Sequence, residues 1–191
     1  MYELAIGAIL VALFFDFVNG FHDAANSIAT VIGTRVLRPL YAVSLAAVAN
    51  FVGPFVFGVA VATTIGKGII NPDFVTIHII IGALIGAIVW DLVTWIFGLP
   101  SSSSHALVGG VLGAGIGGAG MQAVILGGLE KVVIGIIVSP IVGLTTAFLL
   151  ATLLITIFAK RRPATVNSVF GKLQLVSSTY FSLTHGANDG Q

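Results

Sequence analysis

Long apolar stretches, interrupted at irregular points by small clusters of polar residues, run through this chain, and five can be marked off. The first covers residues 4–34 and contains an interruption. Residues 5–18 make about 21 Å of helix at ~1.5 Å per residue, too short for a ~30 Å hydrocarbon core. Asn19, Gly20, His22, Asp23, Asn26 and Ser27 follow before an apolar run resumes towards Gly33. The pattern predicts a broken helix with polar groups at mid-membrane depth. Residues 40–65 read as a conventional span carrying Asn50, Gly53 and Pro54. A third stretch from Phe74 to Leu99 meets Pro100, four serines and His105, and a short glycine-rich arm then continues to Gly120. Two apolar arms joined by a tight polar turn read either as two full crossings or as a re-entrant hairpin whose tip stops inside the protein, and the short, glycine-rich second arm favours the hairpin. The last clear span is residues 132–158, and residues 173–191 begin a further helix.

The expected organisation is a first transmembrane repeat over residues 1–160, a basic cytoplasmic loop over 160–172, and the start of a second repeat over 173–191. Lys and Arg set the orientation. Arg35 with Arg38, and the segment from Lys160 to Lys172, are the basic connections. With these in the cytoplasm, the first helix runs inward and the segment ending in Asp189 runs outward. Gly20, Phe21, His22, Asp23 and Gly186, Ala187, Asn188, Asp189 share a Gly-x-(His or Asn)-Asp pattern on these two segments. Opposite directions predict an inverted-topology repeat, of which the chain holds one half and an incomplete second copy.

Composition supports the all-α, polytopic transmembrane reading: 57% of the 191 residues are hydrophobic and only 8% charged, more apolar side chain than a soluble domain of this size can hide. The alternating pattern of an outer-membrane barrel is absent. The start of the chain carries Glu3 rather than a basic cluster, so it reads as a retained first helix and not a cleaved signal. The lack of cysteine excludes disulfides and thiolate metal sites, and a net charge of +1 argues against a nucleic-acid partner.

Charged residues inside spans are costly and so mark function by default. Here they are Asp16, Asp23, Asp91 and Asp189, with no Lys or Arg in any predicted span. Such carboxylates are protonated, paired with histidine, or neutralised by a bound cation. Asp23, Asn26, Ser27, Asn188 and Asp189 form an all-oxygen set suited to Na⁺ or a proton, with no permanent metal or other cofactor expected. Asp23 would alternatively serve only as a helix N-cap at the break. Asp16 and Asp91 read equally as interhelical hydrogen-bond partners or as parts of the site, and Asn50 as packing glue. His22 and His185 flank the two motif copies and are candidates for a proton relay. Ser101, Ser102, Ser103 and Ser104 precede a helix predicted to start near His105, whose free N–H groups and dipole make an anion site. Cations and anion would each offset the desolvation cost of the other. Two rivals are a passive anion channel and an intramembrane serine hydrolase; the latter lacks a Gly-x-Ser-x-Gly elbow.

The segments NGFHDAANSIATVIGTRVLRP, WDLVTWIFGLPSSSSHALVGG, IVSPIVGL and SLTHGANDGQ resemble the inorganic phosphate transporter (PiT) family in its bacterial form, with Phe21 and His22 where the shorter signature has Ala and Asn. The resemblance implies secondary active import of inorganic phosphate with co-transported Na⁺ or H⁺, in some relatives as a neutral metal phosphate. It implies phosphate contacts at Ser101, Ser102, Ser103, Ser104, His105 and Gln191, a second repeat after Gln191, and no enzymatic activity. Expected partners are phosphate, a monovalent cation, the lipid of the plasma (inner) membrane and a second copy in a homo-oligomer.

Overall fold

A computed structural model describes residues 2–58 and 68–190; the end of the predicted second span, Lys67 and Gln191 lie outside the described residues. Among the described residues six long helices account for the fold: α1 (Tyr2–Gly33), α2 (Pro39–Phe57), α3 (Ile77–Phe97), α4 (Ser103–Ala119), α5 (Leu126–Phe158) and α6 (Pro163–Asp189). Four of them, α1, α2, α3 and α5, are long and apolar enough to cross a membrane. The all-helical, polytopic architecture follows the hydrophobic pattern.

The predicted break in α1 is corrected: the helix is continuous over 32 residues. The reason lies in spacing. Asn19, Asp23 and Ser27 recur every fourth residue and therefore share one helical face, where neighbouring helices bond them without any unwinding. All three are buried. A second correction concerns the basic segment, where the chain is non-helical only briefly before Pro163 opens α6. Proline at the first helical position needs no N–H partner, so the helix starts there and carries Lys172 within it.

α1 ends in a Schellman turn: Val36 N–H bonds the Val31 carbonyl at 2.9 Å and Arg35 N–H bonds that of Ile32 at 3.0 Å. The left-handed position is filled by Arg35 at φ 60°, where glycine is usual. Arg35→Gly is expected to raise thermal stability in detergent by about 1 kcal/mol, the approximate cost of a left-handed L-residue. An unchanged melting curve would remove that strain.

Small residues let the helices approach closely. Ala42, Ala46, Ala49 and Gly53 on α2 face Ser178, Ser182 and Gly186 on α6, all of them buried. A Cβ on Gly186 would overlap the backbone of Asn50, and one on Gly53 would overlap the Leu183 carbonyl. Such close crossings stabilise membrane bundles through van der Waals contact. α6 runs parallel to α2 and antiparallel to α1. Thr34 of α1's C-terminal turn bonds Gln174 at 2.6 Å, the Ser27 carbonyl accepts from Ser178 at 2.6 Å, and Asn19 bonds the Asp189 carbonyl at 3.0 Å.

The hairpin of α3 and α4 is also built on glycine, with Gly110 laid against the Ala83 backbone. Its base is closed by Ile69, Ile70 and Ala123, with Ile125 N–H bonding the Ile69 carbonyl at 2.9 Å. At its tip, Gly98 ends α3 in the left-handed conformation (φ 63°). Ser102 caps α4, its hydroxyl accepting from His105 N–H. The tip meets α1 at Asp23, about ten residues or ~15 Å short of the helix end. The hairpin thus stops against the middle of α1. α5 stands apart, with no buried residue along its length.

Candidate functional site

Three elements converge where the hairpin tip abuts α1 and α6. α3 packs parallel to α1 through Phe15, Val18, Ala87 and Ile88, and further along Phe21 sits edge-on to Trp95 with ring centroids 5.4 Å apart. This seam fixes the height of the tip against α1.

Asp23 is the hub. One carboxylate oxygen lies 3.1 Å from His22 Nδ1, and the other accepts a 2.9 Å hydrogen bond from the hydroxyl of Ser103. His185 Nε2 stands 3.7 Å from Asp23 and 3.8 Å from Asp189, too long for a hydrogen bond but close enough for electrostatic attraction when the ring is protonated. The other nitrogen of His185 is 2.6 Å from the Asn50 side-chain oxygen. That pairing fixes the ring between the two carboxylates. Ser104 donates to the Asp189 carboxylate. Two successive hydroxyls at the start of α4 are thus tied to two aspartates on antiparallel helices.

The four serines have four separate surroundings. Ser101 accepts from Trp90 Nε1 at 3.2 Å, Ser102 caps the helix, and Ser103 and Ser104 reach the aspartates. α4 begins two residues earlier than predicted, so these last two form its first turn rather than preceding it. No tip serine hydroxyl bonds a histidine ring among the described residues, leaving the hydrolase reading without its base. Ser102→Ala is expected to cost about 1 kcal/mol of stability through loss of the cap. Equal melting of variant and parent would show that the 3.4 Å cap contact contributes nothing.

Of the other predicted residues, Ser27 is buried beside α6, whereas Asn26, Asn188 and His105 are exposed on this chain. Asp16 lines a cavity of about 670 Å³ with Asn19, Asn50, His185 and Asp189, between α1, α2 and α6. Three contributors escaped the sequence reading. Asn19 links α1 to the end of α6, Asn50 holds His185, and Thr94 lies 3.5 Å from His22 Nε2. Two of them carry a signal in helical spacing: Asn19 precedes Asp23 by one turn, and Thr94 follows Asp91 by three residues.

Several membrane-crossing helices around a buried cluster of carboxylates, hydroxyls and imidazoles define a multi-pass integral membrane protein. The profile of the phosphate transporter family matches residues 19–167. The chain belongs to that family. It is 52% identical over its whole length to a probable low-affinity inorganic phosphate transporter of Rhizobium meliloti, and 44% identical over 98% of its length to one of Bacillus subtilis. In each case it covers 57% of the relative, so the chain spans little more than half the length of these proteins. Its fold matches that of a solved sodium-dependent phosphate transporter with a TM-score of 0.74 at 24% identity, covering 97% of this chain and 55% of that one.

Proposed function

We propose that this chain forms the first half of a secondary active transporter that imports inorganic phosphate across the plasma (inner) membrane together with Na⁺ or H⁺. One observation carries the reading: the hydroxyls of Ser103 and Ser104 are bonded to Asp23 and Asp189 at the start of α4. A serine hydroxyl has one proton to donate. While the aspartates are charged, they hold that proton. When a cation or a proton neutralises them, the hydroxyls become free to turn towards an anion, beside the unpaired N–H groups and positive dipole of α4. Binding of the cation therefore prepares the anion site, and transport is coupled through the serines. A carboxylate at the same place accepts the proton of hydrogen phosphate, which sulfate lacks near neutral pH.

Asp23 and Asp189 are the cation ligands in this scheme, with Ser27, Asn26 and Asn188 in support. Ser101, Ser102, Ser103, Ser104 and His105 are the phosphate ligands in this scheme, with Gln191, which lies outside the described residues, as a further one. The two aspartates belong to the two copies of the inverted repeat, and their antiparallel helices agree with it. Phosphate travels free or as a neutral metal complex, and the assembled transporter is a homo-oligomer.

The test is uptake of phosphate into proteoliposomes holding the protein expressed from its complete coding sequence, with Na⁺, pH and divalent cations varied independently. Accumulation against a gradient that stops when the Na⁺ and proton gradients are collapsed supports a symporter. Uptake that only equilibrates phosphate, whatever the cation gradients, means a channel. Ser103→Ala is expected to raise KM for phosphate about tenfold, the effect of one lost hydrogen bond to a charged group. An unchanged KM would take Ser103 out of the binding step.

A further inference from the structure

We propose that Asp91 is a proton-binding site that couples proton movement to transport, distinct from the cation ligands Asp23 and Asp189; the inference rests on the transport reading above. Asp91 is 0% exposed in the middle of α3, and neither carboxylate oxygen has a hydrogen-bond partner among the described residues. One turn before it, Ala87 and Ile88 pack on Phe15 and Val18 of α1. One turn after it, the hydroxyl of Thr94 approaches His22. Asp91 therefore sits in the α1–α3 seam, between hydrocarbon on one side and the polar hub on the other.

A charged carboxylate so fully buried, with no hydrogen-bond donor among the described residues, has nothing there to replace its lost hydration. It must be neutral in this arrangement, and a proton is the neutralising species that fits. An alkali cation needs a shell of oxygens in place of its water. Asp91 offers two, with Ala87 and Ile88 one turn away, and none of the described cavities opens onto it. A proton needs a single lone pair.

The titratable groups that face Asp91 lie across the seam. From α1, His22 and Asp23 are the titratable residues whose charges act on Asp91. The titratable residue of α4, His105, is exposed, and α3 adds His78 at its far end. When the Asp91 O–H bond breaks, the proton leaves to water reached in one orientation of the carrier. Reprotonation of Asp91 from water reached in the other orientation of the carrier completes the cycle. Thr94, with its hydroxyl donating to the Trp90 and Asp91 carbonyls, holds the α3 side of the contact.

Asp91→Asn keeps the shape and cannot carry a proton. The whole protein is reconstituted, and two rates are compared: phosphate exchange at equal pH, and net accumulation under a pH gradient of about one unit. One such unit is worth about tenfold in accumulation per proton carried. The ratio of accumulation to exchange is expected to fall about tenfold in Asp91→Asn and to recover partly in Asp91→Glu. A ratio equal to that of the parent overturns the proposal. If the parent itself shows no phosphate exchange, the transport reading fails, and the proposal with it. If Asp91→Asn loses exchange as well, infrared difference spectra of the parent decide. A carboxylic-acid C=O band near neutral pH that moves in Asp91→Glu supports the proton site, and its absence overturns it.

Discussion

Asp23→Asn is expected to abolish cation-coupled phosphate uptake, with a loss of about a hundredfold or more. The substitution preserves shape but removes the charge that Ser103, His22 and His185 all address. Hydrogen bonds to a charged group are worth roughly 1.5–3 kcal/mol each, so the loss of even two exceeds a hundredfold. The amide also presents a donor to a serine hydroxyl that needs an acceptor. Near-normal transport by this variant would remove Asp23 from the site. The cation dependence of any residual uptake is informative too, because exchange that no longer responds to Na⁺ or pH is what an uncoupled hub would leave.

The second large effect is structural. Gly186→Val places branched carbon where the Asn50 backbone already lies, and α2 and α6 must separate. Overpacking of this kind costs about 1–3 kcal/mol in a well-packed core. Here it also pulls His185 from Asn50, so a loss of about 2–4 kcal/mol is expected once a buried hydrogen bond is added. Thermal denaturation in detergent measures it directly. Gly20→Ala is the control, since a Cβ there meets no atom within 4 Å and should leave the melt unchanged. If both variants melt alike, the close crossing is not what joins these helices.

Much of this architecture could be read from apolar run length and from the residues that interrupt the runs. The hairpin followed from Pro100 and the serines between two greasy arms, and Asp23 and the tip serines were singled out by the cost of polarity in lipid. What failed was the inference from clustering to breakage. Asn19, His22, Asp23, Asn26 and Ser27 look like an unwound segment when counted along the chain. Counted around a helix, the three that are buried fall on one stripe, and periodicity rather than density was the informative measure. Asn50 was taken for packing glue because its partner, His185, is remote in sequence and contact across that distance leaves no local trace. The start of α6 was missed for the opposite reason: its first turns are polar and basic, and hydropathy marks only the part of a helix that sits in lipid.

The length of α5 sets how it meets the bilayer. Its 33 residues extend about 50 Å, and some 40 Å of apolar helix remains beyond the charged pair Glu130 and Lys131. A ~30 Å hydrocarbon layer accommodates that only if the rod leans by roughly 40° or bends at Pro140. One end is held at the hairpin base through Val132, and the other meets α6 where Phe158 stacks edge-on against Phe170. α5 thus joins the hairpin that carries the serines to the helix that carries Asp189, and if it leans, a thicker membrane, by standing it upright, would draw its two footings closer together in the membrane plane.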